Sequence, residues 1–247
     1  YKRQPNLNTR TSTSMRDQAY STPIPLAYLA QRLAGITKTS HVLEPTAGNG
    51  ALVFTADPNL VIANEFNKAR ADNLEAQGYT VTEFDATSEK ASNEWFKMGL
   101  IGPNGYFNAV ITNPPFGVVK DDKGESKVFD LNDTRAGYTT TQIDHAIVMR
   151  SIARMEPKKG RAVLFIGGPA KTDNRAEAYN GQQKRAFFNT LYDLYNVTDH
   201  FTVSGDLYSR QGASWPVDVI VIEGRGKSSR KLPAVDPQHL SARDNGL

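Results

Sequence analysis

The chain has 247 residues, a formal net charge of +3 at pH 7 and no cysteine. This length suffices for one large α/β domain with a substantial core, or for two small domains. The absence of cysteine excludes disulfide bonds, thiolate metal sites and enzymes that attack a pyrimidine ring with a thiolate, including cytosine C5 methyltransferases of that type.

Neither metal ligands nor membrane spans stand out in the sequence. The four histidines are scattered without metal-ligand spacing, so we expect no metal site. No apolar stretch approaches the length of a membrane span, and the polar N-terminus does not resemble a signal peptide. We therefore expect a cytoplasmic protein with no membrane partner.

Short apolar runs alternate with helical segments along most of the chain. Helices are predicted at about residues 23–33, 68–77, 88–97, 141–155 and 182–195. Strands are predicted at about 41–44, 60–64, 80–84, 107–112 and 161–166. Strands that alternate with helices indicate a parallel, doubly wound α/β sheet. Two further strands, at about 197–203 and 217–223, are expected to form an antiparallel pair at its edge.

The two ends of the chain are polar. Residues 1–19 are expected to form an arm or linker, residues 20–224 the folded domain, and residues 225–247 a loosely ordered tail. No internal repeat is visible in between.

A glycine-rich turn follows the first predicted strand, in the sequence Glu44-Pro45-Thr46-Ala47-Gly48-Asn49-Gly50-Ala51-Leu52. Glycine lets a ligand approach the backbone closely, and open α/β sheets bind ligands at this carboxyl edge. The turn lacks the third glycine of the dinucleotide fingerprint and the Gly-Lys-Ser/Thr ending of a phosphate loop. It therefore predicts a ligand site of another kind.

Polar side chains end the next three strands as well. Glu65 follows the second strand and can accept both hydroxyls of a ribose. Asp85 follows the third strand, where it can accept from an adenine amino group, and Asn113 follows the fourth. Acidic residues after strands also serve as helix caps, which explains one or two of these positions but not all of them together.

The fourth strand ends in Asn113-Pro114-Pro115-Phe116. Two prolines fix two φ angles and remove two N–H donors, so the turn presents carbonyl acceptors. Together with the side-chain oxygen of Asn113 and the ring of Phe116, these acceptors suit a planar group that carries an NH2, such as a nucleobase amine. The alternative is a loop that merely closes a strand, with Phe116 in the core.

Positive charge is concentrated late in the chain. Between residues 150 and 185, nine lysines and arginines stand against three acidic residues. Basic surface of this kind fits a polyanionic partner. The group at 158, 159 and 161 can equally form a solvated turn.

Taken together, these motifs resemble those of the class I S-adenosylmethionine-dependent methyltransferases, specifically the amino-group DNA methyltransferases. The resemblance covers about residues 18–170 and implies a seven-stranded, mostly parallel, Rossmann-like sheet with an antiparallel edge strand. It implies S-adenosylmethionine as the cofactor, with its methionine end on the glycine-rich turn, its ribose on the acid after the second strand and its adenine on the acid after the third.

The resemblance also implies a set of site residues. The implied cofactor-binding residues are Tyr20, Thr22, Pro23, Glu44, Pro45, Ala47, Gly48, Gly50, Ala51, Leu52, Glu65, Phe66, Asp85, Ala86 and Asn113. The implied catalytic residues, which hold the target amine, are Asn113, Pro114, Pro115 and Phe116. The Thr-Pro element comes before the glycine-rich turn and the Asn-Pro-Pro-Phe turn comes last, which is the gamma order typical of N6-adenine enzymes.

The rest of the chain resembles the methylase domain of large phage and plasmid methylase–helicase proteins of the strawberry-notch-like and anti-restriction groups. The segments that carry this resemblance are residues 11–15, 207–210 and 219–225. It implies DNA as a partner, duplex with a flipped-out base or single-stranded, together with a helicase or other domains of a larger protein. It also implies a bacterial or phage-infected cell and a role in restriction-modification or anti-restriction.

Other substrates and a non-enzymatic role are alternatives. RNA bases, the N4 amine of cytosine and a protein glutamine all present an NH2 to the same turn, although relatives that methylate glutamine usually carry Tyr where this chain has Phe116. The third alternative is a nucleic-acid-binding subunit with a vestigial methyltransferase fold.

DNA is expected to be read by two polar segments, residues 117–138 and 167–184, which we expect to be loops. The candidate phosphate contacts are Lys120, Lys171, Arg175, Lys184 and Arg185. A DNA-recognition region of this small size implies loose sequence specificity or dependence on a partner domain.

Overall fold

The structure of the protein is a computed structural model that describes residues 21–98, 105–121, 123–169, 175–211 and 215–230. The expected N-terminal arm, Tyr20, Lys171 and most of the expected tail lie outside the described residues, as does the side chain of Arg175. Across the described ranges, no helix is both long and apolar enough to cross a membrane.

Seven strands form the main sheet. In chain order they are β1 (Val42–Glu44), β2 (Val61–Asn64), β3 (Thr80–Thr82), β4 (Ala109–Thr112), β7 (Arg161–Gly167), β8 (Tyr195–Val203) and β9 (Val217–Arg225). Strands β5 (Phe129–Asp130) and β6 (Thr139–Thr140), between β4 and β7 in the chain, form a separate pair that is described below. The seven strands lie side by side in the order β3-β2-β1-β4-β7-β9-β8. The first five are parallel, whereas β9 runs antiparallel to both β7 and β8. The predicted mostly parallel sheet with an antiparallel pair at its edge is confirmed.

Helices cover both faces of this sheet. They are α1 (Ile24–Leu33), α2 (Lys68–Ala76), α3 (Glu89–Lys97), α4 (Ile143–Ile152), α5 (Arg175–Asn180) and α6 (Gln182–Leu194). Short 3-10 turns occur at Pro58–Leu60 and Gly205–Gln211. The start of α1 follows the predicted proline signal, since Pro25 lies in its first turn, where a missing N–H costs no hydrogen bond.

Two hydrophobic layers sandwich the strands. Along β4, Val110 packs into one layer with Trp95 and Ile147, whereas Ile111 packs into the other with Leu26 and Leu74. Successive strand residues point to opposite faces, so both sides of a central strand must be apolar. This explains why β1, β2 and β4 read as short, nearly continuous apolar runs.

The two segments expected to be loops contain regular structure. In the first, β5 (Phe129–Asp130) pairs antiparallel with β6 (Thr139–Thr140), and in the second α5 precedes the start of α6. The expectation of loops throughout was wrong there. Polar composition hides the hairpin because it is held by tertiary contacts: Phe129 and Leu131 are buried, although the residues around them are exposed.

Arg150 of α4 is the main tertiary anchor of this hairpin. Its buried guanidinium donates Nη2 to the carbonyl of Asp130 at 2.6 Å and Nη1 to the carboxylate of Asp133. Its Nε donates to the carbonyl of Thr87 at 2.7 Å, in the turn that follows β3. One buried cation thereby joins the hairpin to the carboxyl edge of the sheet.

Replacing Arg150 with alanine should therefore lower the free energy of unfolding by about 3 kcal/mol, because a partly exposed carboxylate and two carbonyls lose the buried cation that donates to them. Urea denaturation followed by circular dichroism measures this. Lys97→Ala, which removes only a surface pair with Glu94, is the matched control and should cost less than about 1 kcal/mol. Equal losses in the two variants would contradict the anchoring role of Arg150.

Candidate functional site

A cavity of about 580 Å³ lies at the carboxyl ends of β1 to β4. The order of the strands reverses between β1 and β4, and open α/β sheets bind ligands at such a switch point. The volume is in the range of small-molecule sites. The lining residues from the four strand ends are Pro45, Thr46, Gly48, Asn64, Glu65, Phe66, Asn67, Phe84, Asp85, Ala86, Thr87, Asn113 and Pro115.

The cavity thus collects part of the predicted site. Of the predicted residues, Pro45, Gly48, Glu65, Phe66, Asp85, Ala86, Asn113 and Pro115 line it. Thr22, Pro23, Glu44, Ala47, Gly50, Ala51, Leu52, Pro114 and Phe116 are not among the lining residues. Of the second group, Thr22, Glu44, Gly50 and Phe116 make the contacts described below.

The two glycines of the turn after β1 serve different purposes. Gly48 has φ +56° and no atom within 4 Å of the position where a Cβ would lie, so it leaves open space beside the cavity. Gly50 has φ +80°, but a Cβ there would lie 3.1 Å from Cδ2 of Leu74 in α2. Position 48 favours glycine through its positive φ alone, whereas position 50 favours it both through its positive φ and through the packing of the turn against the helix.

Glu65 fixes the glycine-rich turn from the neighbouring strand. Its Oε2 accepts from the backbone N–H of Gly48 at 2.8 Å, and its Oε1 accepts from that of Asn67 at 2.8 Å. Each carboxylate oxygen can accept a further hydrogen bond. Glu65 can therefore anchor the turn and still accept hydroxyl groups from a ligand in the cavity.

Asn64, the last residue of β2, was not identified from the sequence as a site residue. Its Nδ2 donates to the carbonyls of Pro45 at 3.0 Å and Phe84 at 2.9 Å. Its Oδ1 accepts from the Thr82 hydroxyl at 2.7 Å and from the Phe84 N–H at 3.0 Å. This buried amide joins the ends of three strands. A polar residue at the end of an otherwise apolar strand is the signal that could have revealed it.

Asp85 is held as an ionised acceptor. Its Oδ1 accepts from the Thr87 N–H at 2.9 Å and from the Thr87 hydroxyl at 2.6 Å, and its Oδ2 lies 3.5 Å from Nζ of Lys127. Burial alone would raise the pKa of Asp85, but the hydrogen bonds from Thr87 and the charge of Lys127 outweigh it and lower the pKa. The carboxylate is negative at neutral pH and can accept an amino group.

The wall beside Asp85 is largely apolar and comes from the β5–β6 region and α4. Val119, Phe129, Ile143 and Ile147 line the cavity there, with Lys127 near its edge. Val119 and Phe129 were not predicted as cavity residues, because residues 117–138 were expected to read DNA. A mostly polar segment of this kind gives no local signal that it forms part of a cavity wall.

Asn113 is positioned by the element that precedes α1. Its Nδ2 donates to the Thr22 hydroxyl at 3.0 Å, which leaves Oδ1 as the acceptor of the amide. The buried Tyr208, from the 3-10 turn between β8 and β9, lies near Asn113, and burial raises the pKa of this phenol. The hydrogen bond with Thr22 therefore fixes the side chain of Asn113.

Phe116 is half-buried and packs against the hydrophobic layer that contains Leu26 and Ile111. The predicted alternative, a ring in the core, applies in part. The base of its side chain lies close to the end of β7, where a Cβ on Gly167 would be 3.6 Å from Cβ of Phe116. Its proposed stacking on a target base stays a prediction.

Glu44 ends β1 beneath the glycine-rich turn and is fully buried. Its Oε2 has no hydrogen-bond partner within the described ranges, and its Oε1 lies 3.5 Å from the Thr46 hydroxyl. Burial raises the pKa of Glu44 well above its ordinary value; a backbone hydrogen bond with Thr46 offsets this in part, and the charge of Glu65 adds to the rise.

This raised pKa predicts a pH-dependent stability. The folded protein keeps a proton on Glu44 that the unfolded chain releases at the ordinary pKa, so stability should fall as pH rises from the ordinary value toward the raised one. The Glu44→Gln variant lacks this loss. Its Tm should rise relative to the wild type across that pH range, with the smallest difference in acid. Two Tm–pH curves that run parallel would show that the burial of Glu44 has no such effect.

The basic residues between 150 and 185 do not form a single surface. Arg150 is buried under the hairpin, and Arg161 pairs with Glu223 at 2.5 Å at the start of β7, which is the edge opposite the cavity. The expectation of basic surface was wrong for Arg150, which is buried, whereas Arg161 belongs to the group for which a solvated turn was the alternative. Lys184, whose Nζ donates to the carbonyl of Gly167 at 3.3 Å, does lie at the carboxyl edge.

Comparison with known proteins gives matches at the level of structure alone. No protein-family model and no curated sequence matches the chain. The modification subunit of a proposed type I restriction enzyme from Vibrio vulnificus YJ016 matches with a TM-score of 0.65 and 13% identity, over 87% of this chain and 48% of that one. The methyltransferase subunit of a type I restriction-modification system from Streptococcus thermophilus matches with a TM-score of 0.59 and 15% identity, over 83% and 45%.

A proposed class I S-adenosylmethionine-dependent methyltransferase from Listeria monocytogenes matches with a TM-score of 0.54 and 12% identity, over 89% of this chain and 67% of that one. Together with the strand order, these matches establish the fold: the chain has the class I S-adenosylmethionine-dependent methyltransferase fold. It spans about half the length of the two type I subunits.

Proposed function

We propose that this protein transfers a methyl group from S-adenosylmethionine to the N6 amine of adenine in DNA. The observation that carries the proposal is that one cavity joins the acids after β2 and β3 to the Asn-Pro-Pro-Phe turn after β4. The similar solved structures include subunits of type I restriction-modification systems, which supports DNA as the substrate.

The residues of the cavity fit S-adenosylmethionine. The open space at Gly48 admits the methionine end, Glu65 accepts from the ribose hydroxyls, and the ionised Asp85 accepts from the adenine amine. Phe66, which is 73% exposed at the cavity, supplies a flat apolar surface beside them. Bound S-adenosylmethionine supplies an electrophilic methyl group on a sulfonium.

The turn after β4 binds and activates the target amine. The lone pair of an adenine amine is delocalised into the ring, which makes the nitrogen a poor nucleophile. Hydrogen bonds from its two N–H groups to Oδ1 of Asn113 and to the carbonyl of Pro114 favour a pyramidal nitrogen. They strengthen as positive charge develops on that nitrogen, so they stabilise the transition state more than the bound substrate. No strong general base is needed, because the proton can leave to water after transfer.

The substrate base must leave its helix to reach this turn. Flipping a base out of a duplex costs a few kcal/mol, and the cost is lower in single-stranded DNA. Phe116 is proposed to stack on the flipped base. Association with a helicase or with other domains, loose sequence specificity and the gamma class all stay predictions.

Mass spectrometry of nucleosides tests the proposal. Plasmid DNA and total RNA are incubated with the protein and methyl-labelled S-adenosylmethionine, then digested. Labelled N6-methyladenine from the plasmid is the expected product. N4-methylcytosine in the plasmid, or label in RNA alone, would contradict the N6 amine of DNA adenine as the substrate. A protein that binds the cofactor but labels none of them would be a binding subunit.

A further inference from the structure

Trp215 is an exposed aromatic residue at the same edge of the sheet as the candidate site. The chain contains two tryptophans, of which Trp95 is fully buried in the core and Trp215 is 54% exposed. The indole N–H of Trp215 donates to the carbonyl of Gly168 at 2.8 Å. The ring is therefore held in place through its polar atom while much of its surface faces solvent. Tryptophan is enriched at interfaces, where one end of the ring is hydrogen-bonded and the rest is apolar, so a ring fixed in this way is suited to stacking.

Trp215 is linked to the Asn-Pro-Pro-Phe turn through the end of β7. The N–H of Gly168 donates to the carbonyl of Pro216 at 3.0 Å, which fixes the segment that contains Trp215 against this strand end. The preceding residue, Gly167, is the one that lies against Phe116, as described above. Phe116 and Trp215 thus lie against two successive glycines at the end of β7.

Asp144 and Lys184 are charged side chains at this end of β7, and the buried Asp218 lies beside Gly168. Both oxygens of the buried Asp144 carboxylate face backbone N–H groups, with Gly117 at 3.4 Å and Gly167 at 3.5 Å. This carboxylate therefore faces backbone N–H groups and not the solvent. On the other side, Lys184 brings its ammonium group to the carbonyl of Gly167. The surface beside Phe116 therefore combines a fixed aromatic ring with a cation, which is the combination that binds unpaired nucleotides.

We propose that Trp215 stacks on a DNA base adjacent to the target adenine, with Lys184 contacting a neighbouring phosphate. This inference rests on the proposed function and extends it to the flanking strand. A target base held at Asn113 belongs to a polynucleotide, so its neighbours must pass close to the turn. The end of β7 borders the turn directly, and Trp215 is the exposed ring fixed there. Stacking tolerates any base, so the site supplies affinity with little sequence preference.

The experiment compares Trp215→Ala and Trp215→Phe with the wild type. Binding of a fluorescein-labelled, adenine-containing single-stranded oligonucleotide is followed by anisotropy, with a duplex of the same sequence in parallel. The alanine variant should bind DNA about tenfold more weakly or worse, whereas the phenylalanine variant should keep most of the affinity. Affinity for sinefungin, measured by calorimetry, should be the same in all three proteins.

A second readout is tryptophan emission. DNA should quench the wild type strongly, and the Trp215→Phe variant, which keeps only the buried Trp95, should respond little. DNA affinity unchanged in Trp215→Ala, or equal quenching in the two proteins, would overturn the inference even if N6-methyladenine is formed. A wild type that binds RNA but not DNA, or no nucleic acid, would also overturn it. Failure of the proposed function would be observed in other measurements, as the absence of sinefungin binding or of methylated adenine.

Discussion

Alanine at position 113 should abolish methyl transfer while leaving the affinity for S-adenosylmethionine within a few-fold of the wild type. The Asn113→Ala variant loses the side-chain oxygen that accepts from the target amine, and this contact is strongest in the transition state. Loss of a comparable transition-state hydrogen bond lowers kcat by roughly a hundredfold or more. Transfer of labelled methyl groups to DNA, together with calorimetry of cofactor binding, measures both quantities.

Asn108→Ala is the matched control. Asn108 lies just before β4, at the opposite end of the strand, where its side chain accepts from the N–H of His41 at 2.9 Å. The control replaces the same residue type beside the same strand and should keep its activity. Methylation by Asn113→Ala at nearly the wild-type rate would remove the turn from the mechanism.

The second large effect is expected at Asp85. Replacing it with alanine removes an ionised acceptor from the cavity and should weaken cofactor binding about tenfold to a hundredfold, as is typical for hydrogen bonds to charged groups. Calorimetry with S-adenosylmethionine measures the Kd. Turnover should recover when the cofactor is saturating, which distinguishes this variant from Asn113→Ala, in which turnover stays low at any cofactor concentration.

Asp57→Ala is the control for a purely structural effect of losing an aspartate that accepts from the backbone of its own turn. Asp57 also accepts from a backbone N–H two residues later, that of Asn59 at 3.0 Å, but it is not among the cavity residues. Its loss should leave the Kd unchanged. If Asp85→Ala behaves in the same way, Asp85 has only the structural role of an acid that caps a turn.

Much of the fold could be predicted because its signals are local. Buried strands such as β1 and β4 are short apolar runs, and they end where Pro45 and Pro114 stop the pattern. Parallel strands bring their carboxyl ends to one edge, so the positions of Glu65, Asp85 and Asn113 follow once the strands are located. The sheet and this part of the site required no long-range information.

What the sequence could not reveal depends on contacts between distant residues. The burial of Arg150 arises from partners in a hairpin that has no local pattern, so its charge was counted as surface. The place of Phe129 in the cavity wall depends on that same hairpin. Glu44 and Gly50 belong to the motif, yet one lies beneath the turn and the other packs against α2, because spacing alone cannot tell a ligand contact from a support.

A crystal structure of the protein with sinefungin, an unreactive analogue of S-adenosylmethionine, tests the central claim most directly. We expect the adenine ring beside Asp85, the ribose on Glu65, and the amino group that replaces the methyl facing the turn at Asn113. An analogue bound elsewhere, or a cavity beside Asn113 filled by protein side chains, would contradict the account.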